Sequence, residues 1–170
     1  MRGWMRPLMT STMASLTMAA LMLVAGNAFA QDAEKAPAAK APPKTMSVSP
    51  MAQVPFPEQP FPLRDDGSYK AFLEKIAADV GRRCSKQENY GWEFRKGDQE
   101  KMDRIFQSTM ASFEQNGWLT GPVKARSIQD PETTAYLADK DKRRLLMVWV
   151  PMSDAAMMIM CETEGPATKK

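Results

Sequence analysis

Apolar residues recur at helical spacing twice in this chain and then run almost unbroken near its end. Tyr69, Phe72, Leu73, Ile76, Ala77 and Val80 fall on one face of a helix. Asp65-Asp66-Gly67-Ser68 supplies capping residues ahead of that helix, and Gly81 supplies the stop. Arg82 and Arg83 follow, where positive charge suits the helix dipole. A second stripe comprises Met102, Ile105, Phe106, Thr109, Met110 and Phe113. Asp98 and Glu100 stand in its first turn and Asn116-Gly117 ends it.

The last apolar block, Arg143 to Glu162, has a different pattern. Two runs rich in apolar, β-branched and aromatic residues flank Pro151-Met152-Ser153-Asp154, which predicts a β-hairpin. In the first run Leu145, Met147 and Trp149 share one face, and Leu146, Val148 and Val150 share the other. A strand apolar on both faces must be covered on both. Three weaker strand signals precede it. They are Trp92 to Arg95, Trp118 to Ile128 (an edge or interrupted strand because of Gly121-Pro122), and Thr133 to Ala138. Asp139 to Lys142 reads as the polar turn into the hairpin. Short connections imply antiparallel neighbours. The expected fold is α+β, with two amphipathic helices on one face of a small antiparallel sheet of three to five strands.

Outside that domain, taken as residues 65–164, the pattern lapses. Residues 1–30 carry Arg2 and Arg6, an apolar run from Leu16 to Ala25, and Ala28-Phe29-Ala30 ahead of Gln31, the layout of a cleaved signal peptide. Its apolar run is shorter than the roughly 18 residues a membrane span needs, so no stable span is expected after cleavage. Residues 31–64 read as an Ala/Pro/Lys-rich linker followed by a Pro-Phe strap. Pro55-Phe56-Pro57 and Pro60-Phe61-Pro62 are the repeated unit of that strap. Residues 165–170 read as a solvated, disordered tail. The expected location is periplasmic or secreted.

Composition narrows the chemistry. Removing Arg2 and Arg6 with the signal lowers the formal charge from +3 to +1, which gives nucleic acid no electrostatic footprint. The chain has no histidine, so the commonest general base and the commonest transition-metal ligand are both missing. Two cysteines in an exported chain predict a Cys84–Cys161 disulfide, closing a loop of about 78 residues.

Several side-chain groups invite a functional reading and also have a plainer one. Met152, Met157, Met158 and Met160 are soft thioethers suited to Cu(I), but strand alternation turns Met158 and Met160 away from Met157, which favours core filling. Tyr90, Trp92, Trp118 and Trp149 could stack sugar rings, although tryptophans at element boundaries are more often structural. Lys140, Lys142, Arg143 and Arg144 form a basic turn interleaved with Asp139 and Asp141. Glu88, Glu93 and Asp98 show no spacing of a matched acid/base pair. Ser85-Lys86 are adjacent rather than a helical turn apart, and no nucleophile-elbow, P-loop or dinucleotide fingerprint occurs.

The reading that follows is an exported, non-catalytic accessory or interaction protein of the cell envelope, with no cofactor, acting through protein–protein contact. Its partner would be an unidentified envelope protein or a second copy. The alternative is a small periplasmic binding domain for a sugar, lipid or metal. The expected contact surface is Met158 and Met160 on the sheet face away from the helices, unless the strap residues Phe56 and Phe61 cover it.

Overall fold

The computed structural model describes residues 44–165; the signal-like segment, the Ala/Pro/Lys run through Pro43 and the tail beyond Gly165 lie outside them. In chain order the elements are β1 (Phe61–Pro62), α1 (Ser68–Asp79), β2 (Arg83–Glu93), α2 (Gln99–Gln115), β3 (Leu119–Val123), β4 (Thr134–Lys140), β5 (Arg143–Pro151) and β6 (Ala155–Glu164). The strands form one antiparallel sheet in the order β1-β2-β6-β5-β4-β3. The fold is α+β, with six strands rather than three to five.

The terminal hairpin lies at the centre of that sheet. Leu146 faces Cys161, Met147 faces Met160, and Trp149 faces Met158 across the β5–β6 pair. Strand alternation then divides the apolar residues into two cores. Leu146, Val148, Ile159, Cys161 and Ala135 pack with Leu73, Ile76 and Ala77 of α1. Leu145, Met147, Trp149, Met158 and Met160 pack with Met102, Ile105 and Phe113 of α2.

The two helices therefore cover opposite faces, not one. Connectivity gives the reason. α1 joins the neighbouring strands β1 and β2 across one face. α2 must carry the chain from β2 to the far edge strand β3, and it crosses the other face. A strand set apolar on both sides is satisfied by one helix on each.

Both helix starts follow the sequence. Asp65 accepts the backbone N–H groups of Gly67, Tyr69 and Lys70, and Asp66 accepts that of Ser68. The Ser68 hydrogen bonds hold the Asp66 carboxyl below its usual range. Asp98 caps α2 by accepting the Lys101 N–H at 3.1 Å.

α2 leaves the β2–β6 half of its face uncovered, and the strap fills it. Met51, Ala52, Val54 and Phe56 are buried there. A tight turn shapes the strap, with Ser49 N–H bonded to Val54 O and Phe56 N–H to Ser47 O, both at 2.9 Å. Side-chain hydrogen bonds to its backbone fasten it to the rest of the fold. Trp92 donates its indole N–H to Glu58 O, Trp118 to Ala52 O, and Ser112 its hydroxyl to Pro55 O. The folded unit thus begins before Asp65, with Ser49, Met51, Ala52, Val54, Phe56 and Pro60 buried in it.

β1 and most of β2 carry no strand signal in the sequence. β1 pairs Phe61 with Gly91 and Pro62 with Tyr90. A Cβ at residue 91 would sit 2.7 Å from the Phe61 ring, so only glycine allows that ring to lie over the sheet edge. Between Cys84 and Gln87 the register of β2 shifts, and across this irregularity Cys84 and Cys161 form a disulfide with their Cα atoms 5.5 Å apart. β3 is an edge strand, the position Gly121-Pro122 requires.

Candidate functional site

On the face shared by α2 and the strap, two aromatic corners differ in what surrounds them. At the first, Trp118 is almost fully buried between Phe113 and the strap. Two cations of the chain lie against its ring, Lys140 at 6.0 Å and Arg143 at 5.5 Å from the centroid. Arg143 also donates to Met51 O at 2.8 Å and to Glu162 Oε1 at 2.6 Å, while Lys140 donates to Asn116 O at 2.7 Å.

Beside this corner Glu88 clasps the strap. One carboxylate oxygen accepts the Met51 N–H at 2.6 Å, and the other accepts the Ser49 and Tyr90 hydroxyls at 2.7 and 2.6 Å. Burial, and then the bond to Glu88, pushes the Tyr90 phenol far above its usual range, so it remains a neutral donor. A cleft of about 540 Å³ opens here, lined by Pro50, Met51, Lys86, Glu88, Arg143 and Glu162. Its charges balance, and both oxygens of Glu88 hold the fold together.

The second corner is the Trp149 end of the same face. Trp149 lies 5.5 Å from Trp92 and 5.3 Å from Phe106, and Phe106 lies 5.7 Å from Tyr136. A cleft of about 270 Å³ opens between α2 and strands β4 and β5. Phe106, Tyr136, Trp149 and Met102 form its apolar lining, and Asp103 and Glu132 are its charged residues. Phe106 and Tyr136 are half-buried, and both carboxylate residues are exposed. No lysine or arginine among the described residues lines the cleft. Among the described residues, neither carboxylate has a basic partner within 4.0 Å. Asp103 accepts only the Gln99 side-chain amide, at 2.9 Å.

The residues singled out from the sequence are distributed as follows. Met158 and Met160 are 2% and 0% exposed and Phe56 is 5% exposed, so they form core beneath the strap rather than a contact surface. Phe61 lies on β1 over Gly91. The methionines do not converge: Met157 accepts the Tyr69 hydroxyl on the α1 face, Met158 and Met160 lie on the other face, and Met152 is exposed beyond β5. Of the four aromatics, Trp92 and Trp149 meet and Tyr90 packs on Phe56, but Trp118 belongs to the other corner. Arg144 is held by Asp139, which raises the guanidinium pKa further. Ser85 donates to Glu162 O, and Asp98 is a helix cap.

No sequence pattern links Phe106, Tyr136, Asp103 and Glu132 as a set. Phe106 was visible only as part of an apolar stripe, and the four lie on α2, on β4 and in the loop before β4. Comparison of the chain with profiles of known protein families, with curated proteins and with solved structures finds no match.

Proposed function

We propose that this chain is an exported, non-catalytic interaction module of the cell envelope, and that it makes its protein contact through the cleft between α2, β4 and β5. One observation carries this reading. Phe106 and Tyr136 reach solvent beside two exposed carboxylates that no base of the described chain neutralises. On the same face Phe56, Tyr90 and Trp118 are buried, with the strap against them and two of the chain's own cations at Trp118. Aromatic residues at a half-open, polar-rimmed patch are the usual anchors of protein contacts. The signal-like N-terminal pattern and the disulfide support export.

Site-specific photo-crosslinking tests it. A benzoylphenylalanine at Gln99, which lines the cleft, is expected to give a defined polypeptide adduct in cells exporting the full chain. The same probe at Lys75, exposed on α1, should give none, and Tyr136→Ala should abolish the Gln99 adduct. Equal adducts from both positions would sink the reading.

A second reading, a carbohydrate-binding domain, draws on the three rings that line the cleft. A neutral oligosaccharide that shifts the Trp149 indole resonance at millimolar concentration would favour it.

A further inference from the structure

We infer that the cleft receives a cationic side chain, lysine or arginine, from the partner polypeptide. This rests on the reading of the cleft as a protein-contact surface and names the chemistry it recognises.

The chain itself supplies the pattern. At the Trp118 corner an aromatic ring, a guanidinium and a carboxylate form one unit, with Arg143 against the ring and bonded to Glu162. The guanidinium there also bonds a backbone carbonyl, Met51 O. A cation placed this way gains from the ring quadrupole on one side and from the carboxylate on the other.

The Trp149 corner holds two of those three components. Phe106, Tyr136 and Trp149 form a tilted row with centroid spacings of 5.3 and 5.7 Å, and Asp103 and Glu132 provide the negative charge. Among the described residues, no cation lines it. On α2, Arg104 is engaged with Glu58 and Glu100 at 3.8 and 4.0 Å, and Lys101 does not line the cleft. A ring face attracts an ammonium or guanidinium and repels a carboxylate, so the occupant best matched to this cleft is positive.

The dimensions agree with one side chain rather than a large ligand. A cleft of about 270 Å³ is just below the roughly 300 Å³ at which small-molecule pockets begin. Met102 forms part of the wall, a thioether side chain of the kind that adapts to differently shaped neighbours.

The test uses the isotope-labelled full chain and three capped pentapeptides, acetyl-Gly-Pro-X-Pro-Gly-amide, with X as arginine, glutamine or glutamate. The arginine peptide is expected to shift the Trp149 indole and the Phe106 and Tyr136 amide resonances. It should bind about fivefold more tightly than the glutamine peptide, the ratio that about 1 kcal/mol of combined ring and carboxylate attraction produces. Raising salt should erode that ratio. Asp103→Asn with Glu132→Gln should lose the preference, and Thr134→Arg, which supplies a cation from the strand position opposite Trp149, should block the peptide. Because Thr134→Arg leaves both acids in place, it keeps the test valid even if the double variant folds poorly. Equal binding of the arginine and glutamine peptides overturns the inference and leaves the protein-contact reading standing. Shifts with maltotetraose but none of the peptides overturn both, as does no shift with any probe.

Discussion

The Trp118 and Trp149 corners share a sheet face and a helix, yet one is closed and the other open. At Trp118 the neighbouring turn between β4 and β5 delivers Lys140 and Arg143, and the strap lies across the ring. At Trp149 the strap has already turned away. Its last anchor there is the Trp92 indole on Glu58 O, and beyond Trp149 the surface is Phe106, Tyr136 and two acids. The closed corner spends its charges on its own fold, because each of its cations bonds a backbone carbonyl. Among the described residues, the carboxylates of the open corner have no base within 4.0 Å. The difference separates groups that stabilise from groups available for recognition.

The largest expected effect acts on both corners alike and so sets the scale. Replacing Cys84 and Cys161 by alanine should cost at most about 4.5 kcal/mol, the loop-entropy value for a sequence separation of 77. Denaturant unfolding would show this as a lower midpoint. If the arginine peptide still binds the folded fraction unchanged, the disulfide serves stability and not the cleft.

Glu88→Ala comes next and should break only the closed corner. It strands the Ser49 hydroxyl, the Met51 N–H and the buried Tyr90 hydroxyl, at a cost of about 3 kcal/mol. The strap should then loosen first, seen as faster hydrogen exchange at Met51 and Val54 than at Ile159. Uniform exchange across both cores would mean that the strap is no separate unit.

Thr134→Arg sharpens the contrast from the other side. It is expected to raise stability by about 0.5–1 kcal/mol, by giving Trp149 the cation that Trp118 already has. A loss of stability at that position would mean that the ring faces cannot accept a cation.

The smallest effect lies on the opposite face, away from both corners. Asp79 accepts the Ser127 N–H at 2.6 Å and lies 3.7 Å from Arg126, and the Ser127 hydrogen bonds hold its carboxyl below the usual range. A depressed carboxylate stabilises the fold fully above its unfolded value of about 3.9, and that contribution is lost as pH falls through the folded value. Acid titration should therefore release the Ser127 amide below about pH 3.9 while the cleft resonances hold. Release nearer neutrality would show that another group secures this loop.

The sequence by itself determined the elements whose reasons are local. Both helices announce themselves by a 3.6-residue stripe and an aspartate ahead of it, because caps and amphipathic faces are short-range features. The terminal hairpin and its two alternating apolar sets were legible for the same reason, as was the edge position forced by Gly121-Pro122. The cysteine pair followed from composition. Only the tertiary structure decided which face each helix takes, since that depends on where β2 and β3 lie in the strand order and not on either helix's own residues. It also decided that Arg83 to Asn89 form a strand. These residues are mostly polar and lack alternation, and pairing with β6 settles them. It decided that the strap, and not a partner, covers Met158 and Met160, by packing Met51, Ala52, Val54 and Phe56 into their core. The open cleft belongs to this second class. Its aromatics and acids come from α2, the loop before β4, and strands β4 and β5, and they become neighbours only through strand order.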